Sequence, residues 1–155
     1  MTIDLVILSI VLTPVMNVIS RYVFIYAFNQ FFIDFSINVH DEQALAVAVQ
    51  MPEFAPYITA TRFFGYMIVL FLINSLFMGV YFVFFWHKFG ATPGKMIMRM
   101  KIVDADDYSS KPSIYRCCKR FLGYITLLIG IFRMAFSKNG QASHDKMANT
   151  VVIKS

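Results

Sequence analysis

The sequence predicts an α-helical integral membrane protein. It has two clear transmembrane helices, a third helix that is membrane-associated or spanning, and a small two-stranded β element on the cytoplasmic side. Three observations carry this. Of 155 residues, 58% are hydrophobic and 15% are charged, against about 45–50% and about 25% in ordinary soluble domains. The apolar residues gather in runs that reach the roughly 20 residues needed to cross a bilayer. The cations gather between positions 87 and 120, beside the ends of those runs. The length, with no linker-like tract and no repeat, fits a single membrane domain over 1–155.

Ile3 to about Phe35 is almost continuously apolar, with Pro14 as a potential kink. It reads as one long tilted helix, or as a span that projects beyond the membrane. It lacks a basic leader region and a small-residue cleavage site, so a retained span is expected rather than a secretory leader. Arg21, well inside the run, reads as an interfacial anchor that snorkels. Ser36 to Thr61 contains Asp41, Glu42 and Glu53 and no Lys or Arg, as expected of a short loop on the outer side. Within it Glu42–Val49 reads as a short amphipathic helix, and Pro52 and Pro56 bracket a turn.

Arg62 to Trp86 is the clearest span, closed by Trp86, His87 and Lys88. Phe89 to Val103 follows, with Gly90 and Pro93-Gly94 breaking the helix. From Met96 to Val103 apolar and cationic positions alternate, which predicts a strand. Ser113 to Phe136 is the third helical pattern, with Arg116 and Arg120 four apart on one face. Its apolar part is short for a span and contains Arg133, so it crosses with thinning or lies re-entrant. Ala148 to Lys154 is β-branched and reads as a strand. A lone strand leaves its backbone donors unpaired, so it is expected to pair with Met96–Val103 and to set His144-Asp145 beside the helix ends. The cation-rich segment places this side, and the N-terminus, in the cytoplasm.

Several function classes are set aside. The net charge of +5 sits next to apolar segments, where it reports topology and anionic headgroups, not nucleic acid. Cys117 and Cys118 are adjacent and read as reduced thiols, too few for a structural zinc site. Asp104 to Asp107 lacks the Gly and distal Glu of a calcium loop. Gly90 to Lys95 lacks the spacing of a phosphate loop and the hydroxyl residue after its Lys. No nucleophile–base set stands out, so neither an enzyme nor a cofactor is expected.

Three pieces in order resemble the RDD family of bacterial membrane proteins. They are Gly90-Ala91-Thr92-Pro93-Gly94-Lys95 after a span, the basic strand ending Lys101-Ile102-Val103-Asp104, and His144-Asp145-Lys146-Met147-Ala148-Asn149-Thr150-Val151-Val152. The resemblance covers essentially the whole chain. The family is named for one Arg and two Asp, and Asp4 and Asp145 fit the two Asp. The Arg belongs about two helical turns before the first Asp; only three residues precede Asp4, and none is Arg. The resemblance implies a protein involved in transport, with sodium–proton exchange among the family's activities, in the bacterial inner membrane.

An ionised carboxylate at membrane depth is costly and is usually paired or protonated. Asp4 and Asp145 are therefore the candidates for an ion or proton site, with His144 able to share a proton near its ordinary pKa of about 6.5. Arg116 and Arg120 are the candidate charge partners of Asp145. Alternatively Asp145 caps a turn or pairs with one of them, and locks the terminal strand. Lys95, Arg99, Lys101 and Lys119 are candidates for binding anionic lipid or a partner protein. Two functions stay open. One is a small transporter working as a homo-oligomer through the small-residue faces Ser75/Gly79 and Gly123/Thr126/Gly130. The other is a non-transporting scaffold or assembly factor with a basic cytoplasmic surface.

Overall fold

The computed structural model describes residues 2–107, 110–134 and 143–154, with backbone alone for 2, 126–134, 143, 144 and 146. Its chain order is α1 (Thr2–Ala27), α2 (Asn29–Asp34), α3 (Glu42–Ala48), a 3-10 turn (Pro52–Tyr57), α4 (Ala60–Phe89), α5 (Pro93–Ile97), β1 (Met100–Asp104), α6 (Ile114–Met134), α7 (Ser143–Ala148) and β2 (Thr150–Lys154). Two of these helices, over Ile3–Ala27 and Ala60–Phe89, are long and apolar enough to cross a membrane. Only 11% of the most apolar window of each is buried in the protein. Side chains such as Ile10, Ile68 and Leu76 are exposed, whereas a soluble protein of this size would bury such a helix against its core.

The chain forms two compact units, Val11–Asn74 and Met1–Ile10 with Ser75–Ser155. In the first, the expected single run to Phe35 is broken. α1 ends at Ala27, and Phe28 leaves helical geometry before α2 begins. The break lets Phe28, Phe31 and Phe32 converge on Phe54 and Ala48, all of them buried. Ring centroids are 5.3 Å apart for Phe28–Phe54 and 4.9 Å for Phe31–Phe54, within the range of favourable aromatic pairs. Asp41 caps α3 by accepting from the amides of Gln43 and Ala44 at 2.9 and 3.3 Å. Arg21 reaches the Glu42 carboxylate at 2.5 Å and the Val39 carbonyl at 3.2 Å. It therefore ties α1 to the following loop.

In the second unit, α4 ends at a left-handed residue, Gly90, with φ +70°, the usual geometry just past a helix C-terminus. Lys111 Nζ donates to the Lys88 carbonyl at 2.9 Å and so answers the partial negative charge of that helix end. The chain then departs from the alternation read in Met96–Val103. Residues 93–97 are helical, Arg99 takes φ 53°, and the strand starts only at Met100. Pro93 at the first helical position is pre-set for a helical turn, and a left-handed residue ends it. The C-terminal strand shows the same device. α7 runs to Ala148, Asn149 takes φ 51°, and β2 starts at Thr150.

The expected pairing of the two strands is present. β1 and β2 run antiparallel, with Met100 opposite Lys154, Ile102 opposite Val152 and Asp104 opposite Thr150. Gly79 of α4 lies under the Phe121 ring of α6; a Cβ there would come within 2.8 Å of the ring. Gly123 is also buried. Gly79 is thus spent inside the protomer rather than left for a partner. Of Thr126 and Gly130, the rest of that stripe, only the backbone is described.

Candidate functional site

Five polar or charged side chains are buried at the junction of α1, α5, α6, α7 and β2: Asp4, Thr92, Arg120, Asp145 and Thr150. Burying such groups is costly unless each finds a partner. Asp4, in the first turn of α1, is 1% exposed. Its Oδ2 accepts from Thr92 Oγ1 at 2.9 Å and its Oδ1 from the Gly94 amide at 2.8 Å. Thr92 precedes α5 but makes no side-chain cap to its own helix. The carboxylate of Asp4 supplies that cap from elsewhere in the chain, and satisfies one of the amides a helix start leaves open. Position 94 must then be Gly, because a Cβ would stand 2.6 Å from Asp4 Oδ2.

Arg120, on α6, is 1% exposed. It donates to Thr150 Oγ1 at 2.7 Å and pairs with Asp145 Oδ1 at 2.5 Å. Its guanidinium lies 5.3 Å from the ring centroid of the buried Trp86, a cation–π geometry. Trp86 in turn stacks on Tyr124 at 5.7 Å. One arginine therefore joins the end of α4, the first turns of α6, α7 and the first residue of β2.

Lys95 belongs to this cluster rather than to the open surface. It is half-buried, and its proton affinity is lowered first by burial, then by the charge of Arg120, while Asp145 and Asp4 act against this. Asp145 moves the other way: burial raises its proton affinity, against the charges of Arg120 and Lys95. Two carboxylates and two cations thus share one partly dehydrated site, with an acid made weaker and an ammonium made more acidic.

The two candidate charge partners of Asp145 separate. Arg120 holds it. Arg116, one turn earlier, binds Asp104 and also Asp106 Oδ2 at 2.8 Å. It donates to the Asn149 carbonyl at 3.1 Å, and Asn149 Nδ2 donates to Asp106 at 2.7 Å. Those hydrogen bonds, from Arg116 first and then Asn149, hold Asp106 below its ordinary range. Arg116 therefore ties the turn after β1 to the start of β2. The structural alternative for Asp145 also has support, because its arginine bonds the first residue of the terminal strand.

Arg99 and Lys101 are exposed, as a binding surface requires, and Lys119 lies 4.5 Å over the Tyr115 ring. The His144 side chain lies outside the described residues. Cys117 and Cys118 are free thiols, the first buried and the second exposed. Among the described residues no group of His, Cys, Asp and Glu fits a metal ion. Sequence reading missed Thr92, Gly94 and Thr150 as partners of the charged set. The Thr-Pro-Gly order was a legible helix-start signal, but nothing local pointed from it to Asp4.

A model of the RDD family matches residues 1–149. An uncharacterized protein of Rickettsia prowazekii (strain Madrid E) is 41% identical over 131 residues, covering 83% of this chain and 75% of that relative. No solved structure matches.

Proposed function

This chain belongs to the RDD family, and on that premise we propose that it is a small multi-pass membrane transporter of ions or small solutes. Sodium–proton exchange is the first reaction to test. The observation that supports this is the opposed displacement of Lys95 and Asp145 inside one buried cluster at the end of a membrane-length helix. An acid and a base whose proton affinities approach each other exchange a proton at low cost. A carboxylate that alternates between a proton and a cation couples the two fluxes. Asp145 is the exchanging group in this reading, and Asp4 holds α5, and with it Lys95, in place.

In this reading the cluster lies at the cytoplasmic face of the bacterial inner membrane, with the N-terminus on that side, and the cation-rich segment 87–120 supports it. So few helices enclose little polar path, so the path forms between copies in a homo-oligomer. Gly79 is covered by Phe121, which leaves the exposed face of α4 that includes Leu76 and Val80 as the contact surface.

The test is sodium-driven proton flux in proteoliposomes, comparing the intact protein with Asp145→Asn. Loss of flux in a variant that stays folded supports the reading. Unchanged flux removes Asp145 from the path, and no flux from folded, inserted wild-type protein rejects transport of these ions.

A second reading, a scaffold that binds anionic lipid or a partner protein, draws on a separate observation. Arg99 and Lys101 are exposed beside the exposed apolar residues Met96, Ile97 and Met98. Charge and apolar area together make a surface that binds anionic headgroups. The double variant R99E/K101E then loses function while flux, where present, is kept.

A further inference from the structure

Gly65 lies in the second turn of α4, five residues after its first residue Ala60 and past the capping positions. A glycine there costs about 1 kcal/mol relative to alanine, and such a cost usually has a packing reason. Here the protein supplies none: a Cβ at Gly65 would meet nothing within 4 Å. What it faces is a groove of ≈ 820 Å³ between the C-terminal part of α1 and the N-terminal part of α4, within the unit Val11–Asn74. That volume is in the range of ligand sites, about 300–1,000 Å³.

The groove has a polar end and an apolar end. Asn29, Thr61 and Arg62 line it where α1 finishes and α4 begins; Val23 and Val69 line it deeper along the helices. From residue 61 to 69 the groove runs about 12 Å along the helix axis, at 1.5 Å per residue. Tyr22, Tyr26 and Tyr66 border it, each offering an apolar ring and a hydroxyl, the pair of properties found at membrane interfaces. Arg62 has no ion-pair partner among the described residues. An arginine at the end of a membrane-length helix, beside hydroxyl and amide groups, is a receptor for an anion.

We propose that this groove holds one anionic phospholipid. Its phosphate sits on Arg62, Thr61 and Asn29, and one acyl chain lies in the space over Gly65 towards Val69. A spanning helix from a second copy fits less well. α4 contains no carboxylate, and the single one in α1 is the buried Asp4, so such a helix brings no anion for Arg62. The amphiphile matches both ends of the groove.

The experiment uses the full chain in a neutral detergent. Binding of a phosphatidylglycerol and of a phosphatidylcholine with the same acyl chains is measured by native mass spectrometry. The expected result is one phosphatidylglycerol per chain, held at least about tenfold more tightly than phosphatidylcholine. Arg62→Gln should weaken it about tenfold, the scale of one charge-assisted hydrogen bond. Gly65→Leu should abolish it. This variant puts an apolar side chain on the helix face that lines the groove, where a Cβ meets nothing within 4 Å, and improves helix propensity, so its circular dichroism and melting should match or exceed those of the wild type. Equal affinity for the two lipids, or wild-type binding by Gly65→Leu, overturns the proposal. So does a disulfide between two copies of Gly65→Cys in native membranes, which would assign the groove to a second copy.

Discussion

Replacing Gly94 by alanine tests the capping of α5 by Asp4 directly. The added Cβ would stand 2.6 Å from Asp4 Oδ2, 2.9 Å from Cγ and 3.0 Å from Oδ1. These atoms belong to a carboxylate held on two sides, so neither α1 nor α5 can yield without lengthening the bonds of 2.8 and 2.9 Å. Hydrogen bonds to a charged group contribute about 1.5–3 kcal/mol each, and a buried carboxylate left short of donors costs more. Against this, Gly→Ala gains up to about 1 kcal/mol of backbone entropy. Losing most of one such bond and straining the other leaves a net destabilisation of about 2–3 kcal/mol. Thr92→Val removes one donor without a clash and should cost about 1–2 kcal/mol. The sole tryptophan, Trp86, is buried in this unit, so its fluorescence during reversible denaturation in mixed micelles reports the change without a label. A Gly94→Ala protein as stable as the wild type would refute the contact and, with it, the reason for glycine at this position.

Arg120→Leu should destabilise by about 3–5 kcal/mol, because it leaves a buried carboxylate without its ion partner; the double variant Arg120→Leu/Asp145→Leu should recover much of this in a double-mutant cycle, and strictly additive losses would show that the pair does not act as a unit. For Asp145, burial raises the folded proton affinity above the ordinary value of 3.8. The folded state then binds its proton more tightly than the unfolded chain, so stability falls as pH climbs from about 3.8 to the raised folded value and is level beyond it; Asp145→Asn should flatten that part of the unfolding-versus-pH curve, and parallel curves for the two proteins would contradict the assignment. Burial pushes the Cys117 thiol up to about 11, whereas Cys118 is exposed. Iodoacetamide at mild alkaline pH should therefore modify one thiol per folded chain and two after denaturation, as read by mass spectrometry; rapid loss of both would place Cys117 at the surface.

The apolar runs announced the two long helices, because length and hydropathy are local properties of the chain. The strand pair was legible for a related reason: β-branched residues near the C-terminus needed a partner, and a basic alternating segment offered one. The start of the first strand was not legible. Met96-Ile97-Met98 satisfies an alternating pattern and a helical turn equally well, and the choice falls to Pro93 and to a carboxylate far along the chain. The same holds for the arginines. Arg116 and Arg120 share a helix face, so spacing alone could not say which meets Asp145; one turn of rise decides it. Asp4 and Asp145 were recognisable as costly carboxylates, yet the residues that meet that cost, Thr92, Gly94 and Thr150, are ordinary turn and strand formers until the fold brings them together.

The bond from the Gly94 amide to Asp4 spans 90 residues of chain. A ribosome adding about 5–20 residues per second takes roughly 5–18 s to cover that distance, and longer before position 94 clears the exit tunnel. During this interval α1 has already been made, while its carboxylate has neither of the donors it will finally hold. An ionised Asp4 without those donors is costly to bury, so the start of α1 stays in polar surroundings in the meantime. Contacts such as Phe24 with Tyr66 can already form between the first and second long helices, so the burial of Asp4 under α5 is a late step in assembly, open only to a chain that has grown past residue 94.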